Sequence, residues 1–214
     1  MLHRARRSVA LVFAAAAAVA IVPAAVSAAA TTGQGGSARV PASLGGWGTA
    51  IEVPGTAALN RGGDAAVASV SCAAAGNCSA GGGYGDSSST IQAYVVSETN
   101  GTWQKAEEVP GTAALNHGDA VTVSVSCAPA GNCSAGGDYF DGSFNSQPFV
   151  VSQTNGTWQK AEEVPGTAAL NHGDADFSSV SCASAGECGA GGYYQDGSGL
   201  SQAFVVSRMP SRTS

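Results

Sequence analysis

The sequence predicts an all-β protein made of three copies of one four-stranded antiparallel unit. The first observation is an internal repeat: Trp47, Trp103 and Trp158 open three similar copies, spaced by 56 and then 55 residues. The second is that each copy contains four strand-like runs and no helical run. The third is that each copy carries two cysteines six positions apart, as in "SVSCAPAGNCSAGG". Together these place the fold in residues 47–208.

The strands are clearest in the second copy. The predicted strands are Trp103–Val109, Val121–Cys127, Cys133–Tyr139 and Pro148–Gln153. The second of these alternates apolar and polar residues, which is the period of a half-buried strand. The fourth contains "FVV", apolar at consecutive positions, which predicts a strand covered on both faces in a sheet between two others.

The connections indicate how these strands are joined. Three of them are short, and "TNGT" carries Asn-Gly, a strong hairpin signal because both residues tolerate positive φ. The fourth, "PGTAALNHGDA", is long and begins with proline. A four-stranded meander followed by a long crossing is the layout of a β-propeller blade.

The register of the repeats predicts how the ends meet. In a propeller blade the strand that begins with Trp is the fourth and the "FVV" strand is the third. In this order the chain enters the repeats with a fourth strand, Trp47–Val53, and leaves them with a third strand, Gln202–Ser207. We therefore expect the N-terminal strand to complete the last unit and close a three-bladed ring. Three blades are fewer than the usual four to eight. A β-trefoil and a dimer with six blades are the alternatives.

One turn of the repeat carries a family resemblance. "SETNGTW" (Ser97 to Trp103) and "SQTNGTW" (Ser152 to Trp158) resemble the Asp-box turn of sialidase-like β-propellers, Ser-x-Asp-x-Gly-x-Thr-Trp, with one residue fewer. The wider repeat is similar to secreted repeats of high-G+C bacteria, which usually occur in longer arrays. The resemblance implies a propeller fold for residues 47–207 and implies that Trp47, Trp103 and Trp158 pack between blades.

The N-terminal segment predicts export. Arg4, Arg6 and Arg7 precede an apolar run, and small residues follow it, so residues 1–28 are interpreted as a signal peptide. Cleavage after Ala30, an uncleaved membrane anchor and twin-arginine export are the alternatives. Residues 29–46 form a Gly- and Ser-rich leader, and residues 209–214 a tail. We expect a secreted or wall-associated protein with no membrane contact after cleavage.

Charge restricts the partners. Loss of three arginines with the signal peptide leaves 6 basic residues against 15 acidic ones, a net charge of 6 − 15 = −9. A chain this acidic does not present the basic patch that nucleic acid or an anionic membrane requires. A glycan or a surface protein remains as the predicted partner, and the chain is expected to be a monomer or a homodimer.

The cysteine pairs predict three disulfides. An oxidising compartment, an even count and a local hairpin around each pair favour bonding within each copy. The predicted pairs are Cys72–Cys78, Cys127–Cys133 and Cys182–Cys188. Zinc is the alternative, but zinc sites prefer closer spacing and a second pair nearby. No metal and no cofactor is expected.

Candidate ligand-binding residues recur after the second cysteine of each copy. A tyrosine, and an aspartate two positions later, could form a carbohydrate platform if the aromatic ring were exposed. The alternative is that the aspartates only start turns. The candidates are Tyr84, Asp86, Tyr139, Asp141, Tyr194 and Asp196. His117 and His172 are interpreted as polar loop residues, since Arg61 stands at that place in the first copy.

Motifs for catalysis are missing from the sequence. It contains no nucleophile elbow, no His-Glu-x-x-His and no phosphate loop. Glu107-Glu108 and Glu162-Glu163 could form acid pairs for glycoside hydrolysis, although their repetition also fits an exposed strand. We therefore expect a non-catalytic binding or adhesion module, with a glycosidase or a structural spacer without ligand as alternatives.

Overall fold

A computed structural model of the chain describes residues 46–129 and 132–208. The predicted signal peptide (1–28), nearly all of the leader (29–46) and the tail (209–214) lie outside the described residues. Within the described ranges, no helix has the length and apolarity needed to cross a membrane. The described residues from Gly48 onward belong to one compact unit.

Three antiparallel sheets follow one another along the chain. Sheet 1 contains β1 (Ala65–Ala74), β2 (Asn77–Gly85), β3 (Ile91–Thr99), β4 (Thr102–Trp103) and β5 (Glu107–Glu108). Sheet 2 contains β6 (Ala120–Ala128), β7 (Asn132–Phe140), β8 (Ser146–Thr154), β9 (Thr157–Trp158) and β10 (Glu162–Glu163). Sheet 3 contains β11 (Ala175–Ser184), β12 (Glu187–Gln195) and β13 (Ser201–Arg208). The all-β class and the three antiparallel units are confirmed.

The predicted strand Trp103–Val109 is broken into two short pieces, β4 and β5, and its counterpart in the third copy is broken into β9 and β10. In sheet 1, β4 and β5 both pair with β3, so residues that open the second sequence copy complete the first sheet. The Asn-Gly turn before β4 has the positive φ values that such a hairpin needs, 51° at Asn100 and 77° at Gly101. The predicted hairpin is therefore confirmed, and the four-stranded unit includes a residue run from the next copy.

The long connections contain short helical turns, which the sequence did not predict. They are α1 (Thr56–Leu59), α2 (Thr167–Leu170) and a 3-10 turn at Thr112–Ala114. Each follows a glycine with φ near 90°, and the Thr112 hydroxyl donates to the carbonyl of Val109 at 2.8 Å. A turn of three or four residues is too short to show a helical period, so the sequence predicts only a loop at "GTAAL".

Sheet 2 lies between sheets 1 and 3, because β6 packs against β1 on one side and β11 on the other. Phe149 and Val151 are buried with Val95 of sheet 1, whereas Val150 packs with Phe177 of sheet 3. The prediction that this strand is covered on both faces is confirmed for sheets 1 and 2, and it is wrong for sheet 3, where Val205 is exposed. The core therefore consists of one cluster at each junction and a third on sheet 1, where Tyr94 and Val96 pack with Val53 and Leu59.

The predicted closing strand is not formed in this structure. Residues 47–53 contain no strand, and Trp47 is fully exposed. Among the described strands, β13 pairs with β12 alone, and Val205 of β13 is 89% exposed. A strand that closes a ring must reach an edge on the far side of the stack, and the pattern of one repeat does not fix the angle between sheets. Only the antiparallel sheets of the expected ring are present.

The tryptophans at the start of the copies have different surroundings. Trp158 is buried between sheets 1 and 2, and its Nε1 donates to Ser97 Oγ at 3.3 Å. Trp103 is half-buried against its own sheet. Packing between sheets is thus confirmed for Trp158 but not for Trp103, which packs on its own sheet, or for Trp47, which is fully exposed.

The three predicted disulfides are all formed. Cys72–Cys78, Cys127–Cys133 and Cys182–Cys188 each join the first two strands of one sheet. In each pair the two cysteines lie directly opposite one another in the strand register. Disulfides of this kind are typical of extracellular proteins.

Candidate functional site

The predicted carbohydrate platform lacks its aromatic faces. The side chains of Tyr84 and Tyr139 are only 4% exposed, and Tyr194 is half-buried. Tyr84 lies in the core of sheet 1 and donates its hydroxyl to Glu108 at 3.2 Å. Burial raises the pKa of Tyr139 to about 12 and raises that of Tyr84 further. We correct the expectation, because a ring must be exposed to stack on a sugar.

The aspartates that follow these tyrosines hold the turns between the second and third strands. Asp141 Oδ1 accepts the backbone N–H groups of Ser143 and Asn145, at 2.8 and 3.0 Å, and its Oδ2 accepts from Gln147 at 3.1 Å. Asp86 and Asp196 make the corresponding three bonds in the other sheets. These carboxylates are therefore turn-forming groups.

Their pKa values agree with that role. At Asp141 burial raises the pKa, but the hydrogen bonds from Asn145, Ser143 and Gln147 lower it more, so the net pKa is below its usual value. At Asp196 hydrogen bonds from Ser198 and Gln202 dominate, and the pKa is lowered strongly. The ionised carboxylates that accept these hydrogen bonds thus fix the shape of three turns on one rim.

Two of these turns present large apolar side chains to solvent. Phe144 in the β7–β8 turn is 69% exposed, and Leu200 in the β12–β13 turn is 62% exposed. Phe144 has φ of 61°, a conformation that is uncommon for a bulky residue. The Asp141 bonds hold it there, and His117 lies beside the same turn at Gly142. The two apolar tips occupy corresponding turns of neighbouring sheets.

A polar cluster lies at the junction of sheets 2 and 3. Asp138 Oδ1 accepts the backbone N–H of Phe177 at 2.6 Å. Asp176 accepts the hydroxyl of Ser146 at 2.5 Å and that of Tyr193. Burial is the largest effect and raises the pKa of Asp138 to about 8. The hydrogen bond from Phe177 acts to lower this pKa, and the charge of Asp176 acts to raise it. The raised pKa favours the protonated form of Asp138, and the hydrogen bonds of the cluster link the two sheets.

Neither Phe144 nor this cluster was predicted, because their residues are not shared by all three copies. The signal lies in the departures from the repeat. Ser89 and Gly199 stand in the other two copies where the second has Phe144. Gly83 and Tyr193 correspond to Asp138, and Ala66 and Val121 to Asp176. A comparison of the copies for such differences would have found them.

The other candidates are separated or solvent-exposed. Glu107 and Glu162 are exposed, whereas Glu108 and Glu163 are half-buried, as expected of neighbours on opposite faces of a strand. They therefore do not form pairs of facing carboxyl groups. His117 and His172 are exposed. In the described ranges, no group of three or more His, Cys, Asp or Glu side chains is placed to hold a metal ion.

Asp138 makes a testable contribution to the pH dependence of stability. Its folded pKa of about 8 lies above the ordinary value of 3.8, so the folded state holds its proton more tightly than the unfolded state. This contribution is fully present below about pH 4 and is lost as the pH rises toward 8, by up to about 1.4 kcal/mol per pH unit. In urea unfolding series, Asp138→Asn is expected to flatten this decline. An unchanged pH profile would contradict the assignment.

The comparisons with known proteins add no assignment. No protein-family model matches the chain, and no curated protein is significantly similar to it.

Proposed function

We propose that the protein is an exported, non-catalytic binding module that belongs to the cell exterior or the cell wall. Its blade-like sheets are of the propeller type, and its ligand is a glycan or a surface protein. The proposal is supported by the predicted signal peptide, the three disulfides and the acidic mature chain. The observation that carries it is the pair of exposed apolar tips, Phe144 and Leu200, on corresponding turns of two sheets.

The Phe144 tip favours binding because its conformation is costly and the backbone of its turn is anchored. A positive φ at phenylalanine costs conformational energy, and an exposed ring gains no core packing to offset this cost. Such strain concentrates at functional sites. The backbone that carries the ring is also anchored, since the Asp141 carboxylate accepts the N–H groups on both sides of Phe144. An exposed aromatic ring on an anchored turn can stack on a sugar ring or enter a pocket of a partner without the cost of ordering the loop.

A glycan array with the secreted protein tests the proposal. Binding of at least one glycan class is expected, and Phe144→Ala and Leu200→Ala are each expected to weaken it about tenfold. Leu170→Ala is the matched control, because Leu170 is an exposed leucine of α2 and lies outside these turns. Binding that survives loss of both tips would exclude this rim. Binding to a cell-surface protein that is lost in the same two variants would select the protein ligand.

A further inference from the structure

The two junctions between the sheets are built by the same hydrogen bonds. Ser69 Oγ of β1 accepts the backbone N–H of Val125 in β6 at 3.0 Å. One repeat later, Ser124 Oγ of β6 accepts the N–H of Val180 in β11 at 3.2 Å. A second bond of the same kind joins Cys127 to Ser71 and Cys182 to Ser126, at 3.0 Å in both cases. Sheets 1 and 2 therefore offer serine acceptors to the next sheet, and sheets 2 and 3 offer backbone donors to the previous one.

Side chains repeat in the same way across the two junctions. Thr122 packs on Gly81, and the ring of Phe177 packs on Gly136, so closely that a Cβ at either glycine would overlap it. Asp119 accepts the N–H of Ile91 at 2.8 Å, and one repeat later Asp174 accepts that of Ser146 at 2.9 Å. The junction is thus one interface used twice.

The two ends of the stack carry the unused halves of this interface. We call the outer side of sheet 1 the head face, marked by Asp64, Val67 and Val70. These three residues correspond to Asp119, Thr122 and Val125, and all are exposed. Of their counterparts, Thr122 and Val125 are buried at the first junction, and Asp119 accepts a backbone N–H there. The head face therefore offers one acidic acceptor and two apolar side chains.

We call the outer side of sheet 3 the tail face, marked by Ser179, Gly191, Ser201 and Val205. Ser179 corresponds to the acceptors Ser69 and Ser124, and Gly191 to the glycines that receive Thr122 and Phe177. Val205 corresponds to Val95, which is buried at the first junction but is 89% exposed here. Some positions differ: Gly189 replaces the serines at 79 and 134, and Tyr193 replaces Asp138, which accepts the N–H of Phe177 at the second junction.

Sheet 3 also lacks the short fourth strand that its neighbours have. In sheet 1, Tyr94 and Val95 pair with Glu108 and Glu107. The corresponding residues of β13 are Phe204 and Val205, which have no such partner among the described strands. The only unused copy of the short strand is Ile51–Glu52, which is exposed and forms no strand.

A cavity marks the place of the missing tryptophan. At the first junction the buried Trp158 bonds Ser97. At the second, the corresponding Ser152 lines an open, mostly apolar cavity of about 310 Å³ together with Pro165, Val206 and Ser207. By the repeat, the tryptophan that precedes Ile51–Glu52 is the one that belongs there, namely Trp47. Trp47 is fully exposed in this structure.

We propose that the tail face of one chain binds the head face of a second copy of the same chain. Ile51–Glu52 of the second copy then pairs with Val205 and Phe204, Trp47 enters the cavity at Ser152, and Val67 packs on Gly191. Two chains joined at both ends form a closed ring of six sheets. Six lies within the four to eight blades of propellers, whereas in a closed ring of three sheets each sheet would have to be rotated by about 120° relative to the next.

Sedimentation velocity with the secreted protein measures the predicted association. A single species of twice the chain mass is expected, and Trp47→Ala is expected to raise the dissociation constant about tenfold or more. Leu170→Ala, which changes an exposed residue away from both faces, is expected to leave it unchanged. A monomer at all concentrations, or an open-ended series of larger species, would overturn the closed dimer.

A cysteine trap distinguishes a second copy from closure within one chain. Variants Ile51→Cys and Val205→Cys are prepared separately and mixed under mild oxidation. The protein's own six cysteines are all paired, so a covalent dimer that needs both variants is expected. The control mixture, Ile51→Cys with Leu170→Cys, is expected to give none. A chain that carries both Ile51→Cys and Val205→Cys is oxidised in parallel. If only this double variant forms the bond, as a cross-linked monomer, the proposal is wrong and the chain closes on itself.

Discussion

Replacing Trp158 by alanine is expected to lower the free energy of unfolding by about 3–5 kcal/mol. Trp158 is 5% exposed and belongs to the core cluster that joins sheets 1 and 2, in contact with residues of both. Its removal would leave a large cavity at the junction, and it would also leave Ser97 Oγ without the indole N–H. Chemical unfolding followed by circular dichroism measures the loss.

Trp158→Phe separates the two contributions. Phenylalanine keeps most of the buried area but has no N–H to donate, so a loss of about 1–2 kcal/mol is expected. If the alanine and phenylalanine variants lost equal stability, the hydrogen bond would dominate and the packing argument would fail. If neither lost stability, Trp158 would not lie between the sheets.

Replacing Gly137 by alanine is expected to cost at least about 3 kcal/mol or to prevent folding. A Cβ at Gly137 would overlap the carbonyl oxygen of Val121 on the neighbouring strand. The strand register shifts at this point, between Thr122 and Ser124, and brings the two backbones together. Because the obstacle is backbone, no side-chain rotation relieves it, and the strands would have to separate.

Gly189 provides the matched control for this prediction. It is also a strand glycine, on β12, but a Cβ there would have no heavy atom within 4 Å. Gly189→Ala is therefore expected to change stability by less than about 0.5 kcal/mol. Equal effects of the two substitutions would show that loss of glycine, and not the overlap with Val121, is responsible.

The parts of the fold that depend on short-range patterns were predictable from the sequence. Alternation placed Val121–Cys127 within β6, and Asn100-Gly101 identified a hairpin from the φ values that only such residues adopt easily. The disulfides followed because two cysteines around one hairpin face each other across the strands. Each of these features is decided within one unit.

The parts that depend on how units pack against each other were not predictable. Ring closure depends on the angle between sheets, which side chains such as Phe177 and Thr122 set at the junctions. Tyr84 and Tyr139 recur because they fill the core, yet recurrence alone does not distinguish packing from binding. Phe144 was overlooked for the opposite reason, since it occurs in one copy only.

Residue-resolved amide hydrogen exchange tests most directly whether one repeated junction holds the sheets together. The N–H groups of Val125, Cys127, Val180 and Cys182 donate to serine hydroxyls of the preceding sheet. The account predicts that all four exchange slowly and that Ser69→Ala accelerates exchange at Val125 alone. Exchange of the four amides at the rate of an unpaired edge strand would contradict it.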